Sequence, residues 1–285
     1  MIQAVLGGKA REAEYWEDIL TSTVLGSLEY LDPRSALIPF VESAWVRADT
    51  DDRRTPTTLR QKLESENINL RDYREIEYVF WARHHEFGEP DLIVLFRNHE
   101  HGAGDYLLLI EVKFLSGMSG TGEKNQLVRY FQAIRQNQIN GFDNDSIKEL
   151  QEPTRDIVYL TRGDASDEIQ ASQQLIDKIP NNPKCTVFHL RWETLHAVLQ
   201  DNKDGFQTST EKRIAQDLIL YLETLGLGVF RGISVPGSRI QETLSQQGPV
   251  FWSPEETAVF AGTFFSHLTV PRTYGEKTPY AFYRG

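Results

Sequence analysis

Cysteine is nearly missing from this chain. Cys185 is the only one in 285 residues, which excludes an internal disulfide framework and a cysteine-rich zinc site. Its setting, Lys184-Cys185-Thr186-Val187-Phe188, reads as a buried strand thiol. Long apolar runs are missing too, and nothing approaches the roughly 18 consecutive residues of a membrane span. The opening Met1-Ile2-Gln3-Ala4-Val5-Leu6 is too short an apolar stretch for a signal peptide, and acidic residues follow at once. A cytoplasmic, reducing setting is the expectation. There are no repeats and no low-complexity tail. Basic residues are outnumbered, 30 Lys and Arg against 41 Asp and Glu, for a formal net charge of −11. Such a surface does not suit a protein that coats nucleic acid through many phosphate contacts. It leaves room for a restricted basic groove, and for carboxylates neutralised locally by divalent metal.

What is present is ordinary globular material, 40% hydrophobic and 25% charged, enough to fill a substantial core. Trp16, Leu20, Val24, Leu28 and Leu31 recur at steps of three or four, so Arg11 to Leu31 is predicted as a helix, stopped by Pro33. Leu37 to Trp45 is apolar without a clear period. Ala48 to Asn69 reads as a solvated loop followed by a short surface helix. Strands are predicted at Ile76 to Trp81, Asp91 to Phe96 and Tyr106 to Val112. The last is apolar almost throughout, as for a central strand covered on both faces. The second and third are expected to pair as a hairpin across a polar tip around His99 to Gly104. Beyond a glycine-bearing loop, Leu115 to Lys124, the pattern gives a helix at Gln126 to Gln138. Strands at Asp156 to Thr161 and Cys185 to Leu190 flank a helix near Ile169 to Ile179. Further helices are expected at Trp192 to Leu199 and at Thr210 to Leu225, the latter ending at Gly226. The organisation is an α/β domain over residues 1–205, with a helical and irregular extension, 206–285, packed on it. The extension is rich in aromatics, from Phe230 to Tyr283, for which core packing is the first expectation and base stacking the second.

Two charged residues break the pattern. Glu111 and Lys113 close an otherwise apolar strand, where charge is costly unless paired or metal-bound. Residues two apart on a strand share a face, and hairpin pairing brings Asp91 alongside them. Two carboxylates and an ammonium then meet at one sheet edge. Paired carboxylate oxygens suit Mg²⁺ or Mn²⁺, which would polarise a phosphodiester and help activate water. The Val112 carbonyl is a further candidate metal ligand, and Lys113 would hold the water or balance charge developing on phosphate. The alternative is a structural ion pair.

Pro90-Asp91 followed by Glu111-Val112-Lys113 resembles the PD-(D/E)xK motif of the restriction-endonuclease-like nucleases. Gln126-Leu127-Val128-Arg129-Tyr130 resembles the QxxxY helix of that superfamily's exonuclease-like branch. The resemblance covers roughly residues 12 to 135. It implies a restriction-endonuclease-like α/β core, a mixed central β-sheet flanked by helices, and a Mg²⁺-dependent site at the sheet edge that hydrolyses DNA in defence or repair. It also implies a glutamate from the first helix. Glu17 is the first choice, with Glu12, Glu14 and Glu29 as competitors. Gln126 and Tyr130, four apart on one helical face, would place the substrate, while Lys124, Arg129 and Arg135 would contact phosphate, extended by Arg53, Arg54 and Arg60. The alternative function is a catalytically silent nucleic-acid- or protein-binding module on the same fold. The helix from Ile214 is expected either to pack onto the core or to form a homodimer interface. His84-His85 and His99-x-His101 do not make a convincing zinc set, and the glycines at 117, 120 and 122 do not match a dinucleotide fingerprint.

Overall fold

The structure, a computed structural model, describes residues 17–47, 56–97, 104–114, 118, 120, 122–151, 153–180 and 184–229. In chain order the elements are α1 (Glu17–Leu28), α2 (Leu37–Glu42), β1 (Trp45–Val46), β2 (Thr57–Thr58), α3 (Leu59–Ser65), β3 (Glu75–Phe80), β4 (Leu92–Arg97) and β5 (Tyr106–Val112). There follow α4 (Gln126–Ile134), α5 (Asp145–Lys148), β6 (Thr154–Thr161), α6 (Ser166–Asp177), β7 (Val187–Arg191), α7 (Trp192–Asp201) and α8 (Ser209–Thr224). The strands form one seven-stranded mixed sheet in the order β2-β1-β7-β6-β5-β4-β3. β3, β4 and β5 make an antiparallel meander, whereas β5, β6 and β7 run parallel. The parallel steps require crossovers: α4 and α5 lie between β5 and β6, and α6 between β6 and β7.

The near-continuous apolar strands are explained by helices on both faces. Successive side chains alternate between two core clusters. Leu92, Val94 and Phe96, with Leu108, Ile110 and Val112, face a layer formed by α1, α2, α3, α7 and α8. Ile93, Leu95, Leu107 and Leu109 face α4 and α6. Leu218, Ile219, Tyr221 and Leu222 put α8 into the first cluster. Among the described residues no helix is long and apolar enough to cross a membrane.

Local chemistry sets the helix ends. Thr58 with Gln61, and Thr208 with Glu211, form capping boxes at the starts of α3 and α8. Asn125 caps α4, its Oδ1 accepting from Leu127 and Val128. α8 ends at Gly226, whose φ of +71° lets Leu227 N–H close back on the Leu222 carbonyl at 2.8 Å. α4 is shorter than its periodicity predicts, because Arg135 turns extended at ψ 153°. Leu37 to Trp45, without a clear period in sequence, divides into α2 and the start of β1.

One buried ion pair had no sequence signal. Lys62 Nζ donates to both Asp156 oxygens at 2.6 and 2.7 Å, and Asp156 also accepts from Thr186 N–H at 2.8 Å and Tyr106 Oη–H at 3.1 Å. Every lone pair that burial would strand has a donor, as a structural pair requires.

Candidate metal-dependent site

The alternation that sorts the core also places the charges. Asp91 precedes Ile93 by two, and Glu111 follows Leu109 by two, so both acids are in phase with the side chains facing α4 and α6. The antiparallel register sets Leu92 opposite Ile110, which brings Asp91 to the end of β5. There Asp91 Oδ2 accepts from the Val112 N–H at 2.7 Å. Extended backbone directs a residue's C=O to the same strand edge as its N–H, so the Val112 carbonyl shares Asp91's side of β5.

Lys113 Nζ donates to Glu111 Oε1 at 2.7 Å and to Glu17 Oε1 at 3.1 Å. Glu17 Oε2 accepts the Phe114 N–H at 2.9 Å. α1 packs its apolar stripe on the opposite face of the sheet, yet Glu17 reaches this corner. An ammonium has three hydrogens, so Lys113 keeps one beyond these two bonds. Glu12 and Glu14 lie outside the described residues. Glu29 instead lines a groove of about 640 Å³ with Arg34, Arg71, Arg74 and Tyr78, which includes none of the acid–lysine set.

Glu111 differs from the satisfied Asp156. It is 1% exposed, and no donor reaches its Oε2. Burial, followed by the neighbouring Asp91 carboxylate, pushes Glu111 up to about 8. Burial raises Asp91 as well, against the lowering effect of the Val112 N–H and Lys113. Burial alone would depress the Lys113 ammonium, but Glu111 and Glu17 outweigh it and the net shift is upward. The site therefore holds more buried carboxyl groups than its one ammonium can keep ionised, and Glu111 retains its proton near neutral pH.

Gln126 and Tyr130 meet as their spacing predicts. Gln126 Nε2 donates to Tyr130 Oη at 2.9 Å, and Tyr130 Oη donates to the Glu89 carbonyl at 2.9 Å. Burial and then Glu111 raise the Tyr130 hydroxyl, which keeps its proton. Arg129 Nη2 donates to the Phe87 carbonyl at 2.9 Å. Successive residues of α4 thus pin the turn that delivers Asp91. Tyr130→Phe removes the bond to the Glu89 carbonyl and should lower stability by about 1 kcal/mol, read as a lower denaturation midpoint. At Gly88, φ is +102° and an added Cβ would lie 2.8 Å from Arg129 Nη2. Gly88→Ala should destabilise the protein by about 2 kcal/mol, read as a lower denaturation midpoint.

The other predicted residues are dispersed. Lys124 is exposed at the end of a short 3₁₀ turn. Arg135 is exposed, donates to the Pro180 carbonyl at 3.0 Å, and lies over the Phe131 ring. Arg60 pairs with Glu64 on the surface, while Arg53 and Arg54 lie outside the described residues. His84 uses both ring nitrogens on backbone: Nε2 donates to Gln138 O, and Nδ1 accepts from Glu86 and Phe87 N–H. His99 and His101 lie outside the described residues. Cys185 is buried and free. Among the described residues no group of three or more His, Cys, Asp or Glu side chains is placed to hold a metal ion. Two carboxylates with a backbone carbonyl still fit Mg²⁺, which keeps several waters, and the partnerless Glu111 oxygen is the acceptor such an ion would use.

Sequence reasoning missed Phe114 N–H and the Glu89 carbonyl as parts of this frame, since backbone groups carry no residue-type signal.

No family model matches this chain, and no curated protein matches it. Among solved structures it is similar to the MspJI restriction endonuclease in complex with a 27-mer oligonucleotide, at 18% identity and a TM-score of 0.27. The match covers 65% of this chain and 33% of that one, so it spans about a third of the restriction enzyme's length.

Proposed function

We propose that this protein is a metal-dependent nuclease that hydrolyses DNA phosphodiester bonds, of the PD-(D/E)xK type. The observation that carries the reading is the buried Glu111 oxygen without a donor beside Asp91, with Lys113 fixed between Glu111 and Glu17. Glu66 and Glu193 also carry an oxygen without a donor, but both residues are half-buried, whereas Glu111 is 1% exposed and stands beside a second buried carboxylate, Asp91. Asp91, Glu111 and the Val112 carbonyl would hold Mg²⁺ or Mn²⁺, which when bound would supply Lewis acidity toward phosphate and lower the pKa of water.

The chain's own residues supply the rest. Lys113 orients the attacking water with its remaining hydrogen and offsets negative charge growing on the phosphate oxygens. Glu17 holds Lys113 from the far side and is itself fixed by Phe114 N–H. The Val112 N–H fixes one Asp91 oxygen and leaves the other for the ion. Tyr130 and Gln126 stiffen the approach to Asp91.

The test is incubation of the full chain with linear, circular and single-stranded DNA, with and without Mg²⁺ or Mn²⁺. Metal-dependent cutting of any of these is the expected result. Metal-independent binding without cutting would instead identify a silent binding module.

A further inference from the structure

We infer that Trp81 is a stacking platform for a nucleobase of the strand whose phosphate lies at Asp91, an assignment that rests on the nuclease reading above. Trp81 directly follows β3 and leaves the extended conformation, with φ at +50°. A bulky side chain rarely occupies this left-handed region, and such residues persist where the surroundings enforce them, commonly at ligand sites. Here the enforcing bond is specific: the Trp81 N–H donates to the Asp91 carbonyl at 3.2 Å. The same backbone pairing that places the candidate metal ligand therefore places this indole.

The turn keeps the indole out of the core. Trp81 is 37% exposed, while Ala82 after it is 3% exposed and Phe80 before it is half-buried. Its ring leans on Phe80 with centroids 5.4 Å apart and planes inclined at 45°. Phe80 in turn packs on the first core cluster, near Gly26 of α1. One aromatic buttresses another, and the outer one keeps an open surface.

The electrostatics favour such a contact. With a net charge of −11, the chain has little non-specific attraction for a polyanion. Two of the arginines expected to contact phosphate, Arg129 and Arg135, each commit one nitrogen to a backbone carbonyl, of Phe87 and Pro180. A contact indifferent to phosphate charge would add affinity that this acidic chain otherwise has little of. Stacking of a base on an indole is such a contact, and it tolerates any base because each presents a π-face.

The experiment measures binding of the full chain to a labelled single-stranded oligonucleotide by anisotropy, with Ca²⁺ in place of Mg²⁺. A series of oligonucleotides carries one abasic residue at successive positions. Trp81→Ala should weaken binding to the intact oligonucleotide about tenfold, and Trp81→Phe should retain most of the affinity. One abasic position should weaken the wild type by a similar factor, and on that oligonucleotide Trp81→Ala should cost nothing more. A Trp81→Ala loss of equal size on every abasic oligonucleotide, or no loss at all, would overturn the stacking role. If Trp81→Ala fails to fold, Trp81→Leu, which keeps apolar bulk without a π-face, takes its place in the same scan with the same expected loss. Wild-type protein that neither binds nor cuts any oligonucleotide would remove the nuclease reading and this inference with it.

Discussion

Asp91→Asn and Lys113→Ala should each lower DNA cutting by about a thousandfold, near 4 kcal/mol of transition-state stabilisation, with the fold retained. Asn is the informative replacement at 91. Its carbonyl oxygen can still accept the Val112 N–H bond, measured at 2.7 Å from Asp91, so the strand end stays closed while the charge for a cation is lost. At Lys113, alanine removes the ammonium that Glu111 and Glu17 share. Those acids are then left to repel one another or to take up protons, and water loses its donor at the scissile phosphate. Circular dichroism and the denaturation midpoint would check the fold, and rates in Mg²⁺ would check the chemistry. The two variants separate the roles. Raising Mn²⁺ should partly restore Asp91→Asn, whose defect is in metal affinity, but leave Lys113→Ala inactive. Wild-type rates in both variants would remove the mechanism.

Much of the frame behind this expectation is legible in the sequence, because strand parity is a strict period. Once Leu92 to Phe96 and Tyr106 to Val112 are read as paired strands, Asp91, Glu111 and Lys113 must converge, and the register of Leu92 with Ile110 realises it. The Gln126–Tyr130 pair is similarly local, four residues on one helix. Glu17 is not local. It meets Lys113 across 96 positions of sequence, and only its place beside the Trp16–Leu20 stripe sets it ahead of Glu12, Glu14 and Glu29. The Lys62–Asp156 pair, 94 positions apart, is illegible for the same reason. Trp81 fails differently. Its residue type continues the strand pattern of β3, and only the backbone turn at φ +50° takes it out of the sheet. Arg129 illustrates a third limit: basic character on a helix beside the site suggested phosphate, but the open Phe87 carbonyl claims it.

Apparent Mg²⁺ affinity should rise about fiftyfold between pH 6 and pH 8, and Glu111 is the reason. Burial and the Asp91 carboxylate lift it from its ordinary 4.5 to about 8 in the metal-free protein. Across that window the folded chain keeps a proton that the unfolded chain has released, so stability contributed by this group falls as pH rises. Below about 4.5 both states are protonated, and above about 8 both are ionised, so the slope is confined between them. Glu111→Gln cannot ionise. In EDTA its stability advantage over the wild type should therefore grow by roughly 3 kcal/mol from pH 5.5 to pH 8. Comparing the two proteins isolates Glu111 from Asp156, which burial raises to about 6 and which both carry. A cation at Asp91 and Glu111 takes the place of that proton, so Mg²⁺ should stabilise the wild type most at high pH and leave Glu111→Gln almost unmoved. Denaturation midpoints at several pH values, with EDTA and with Mg²⁺, measure both effects. Parallel curves for the two proteins in EDTA would mean that Glu111 is already ionised and fully balanced by Lys113, and the case for a cation at this strand end would lose its physical basis.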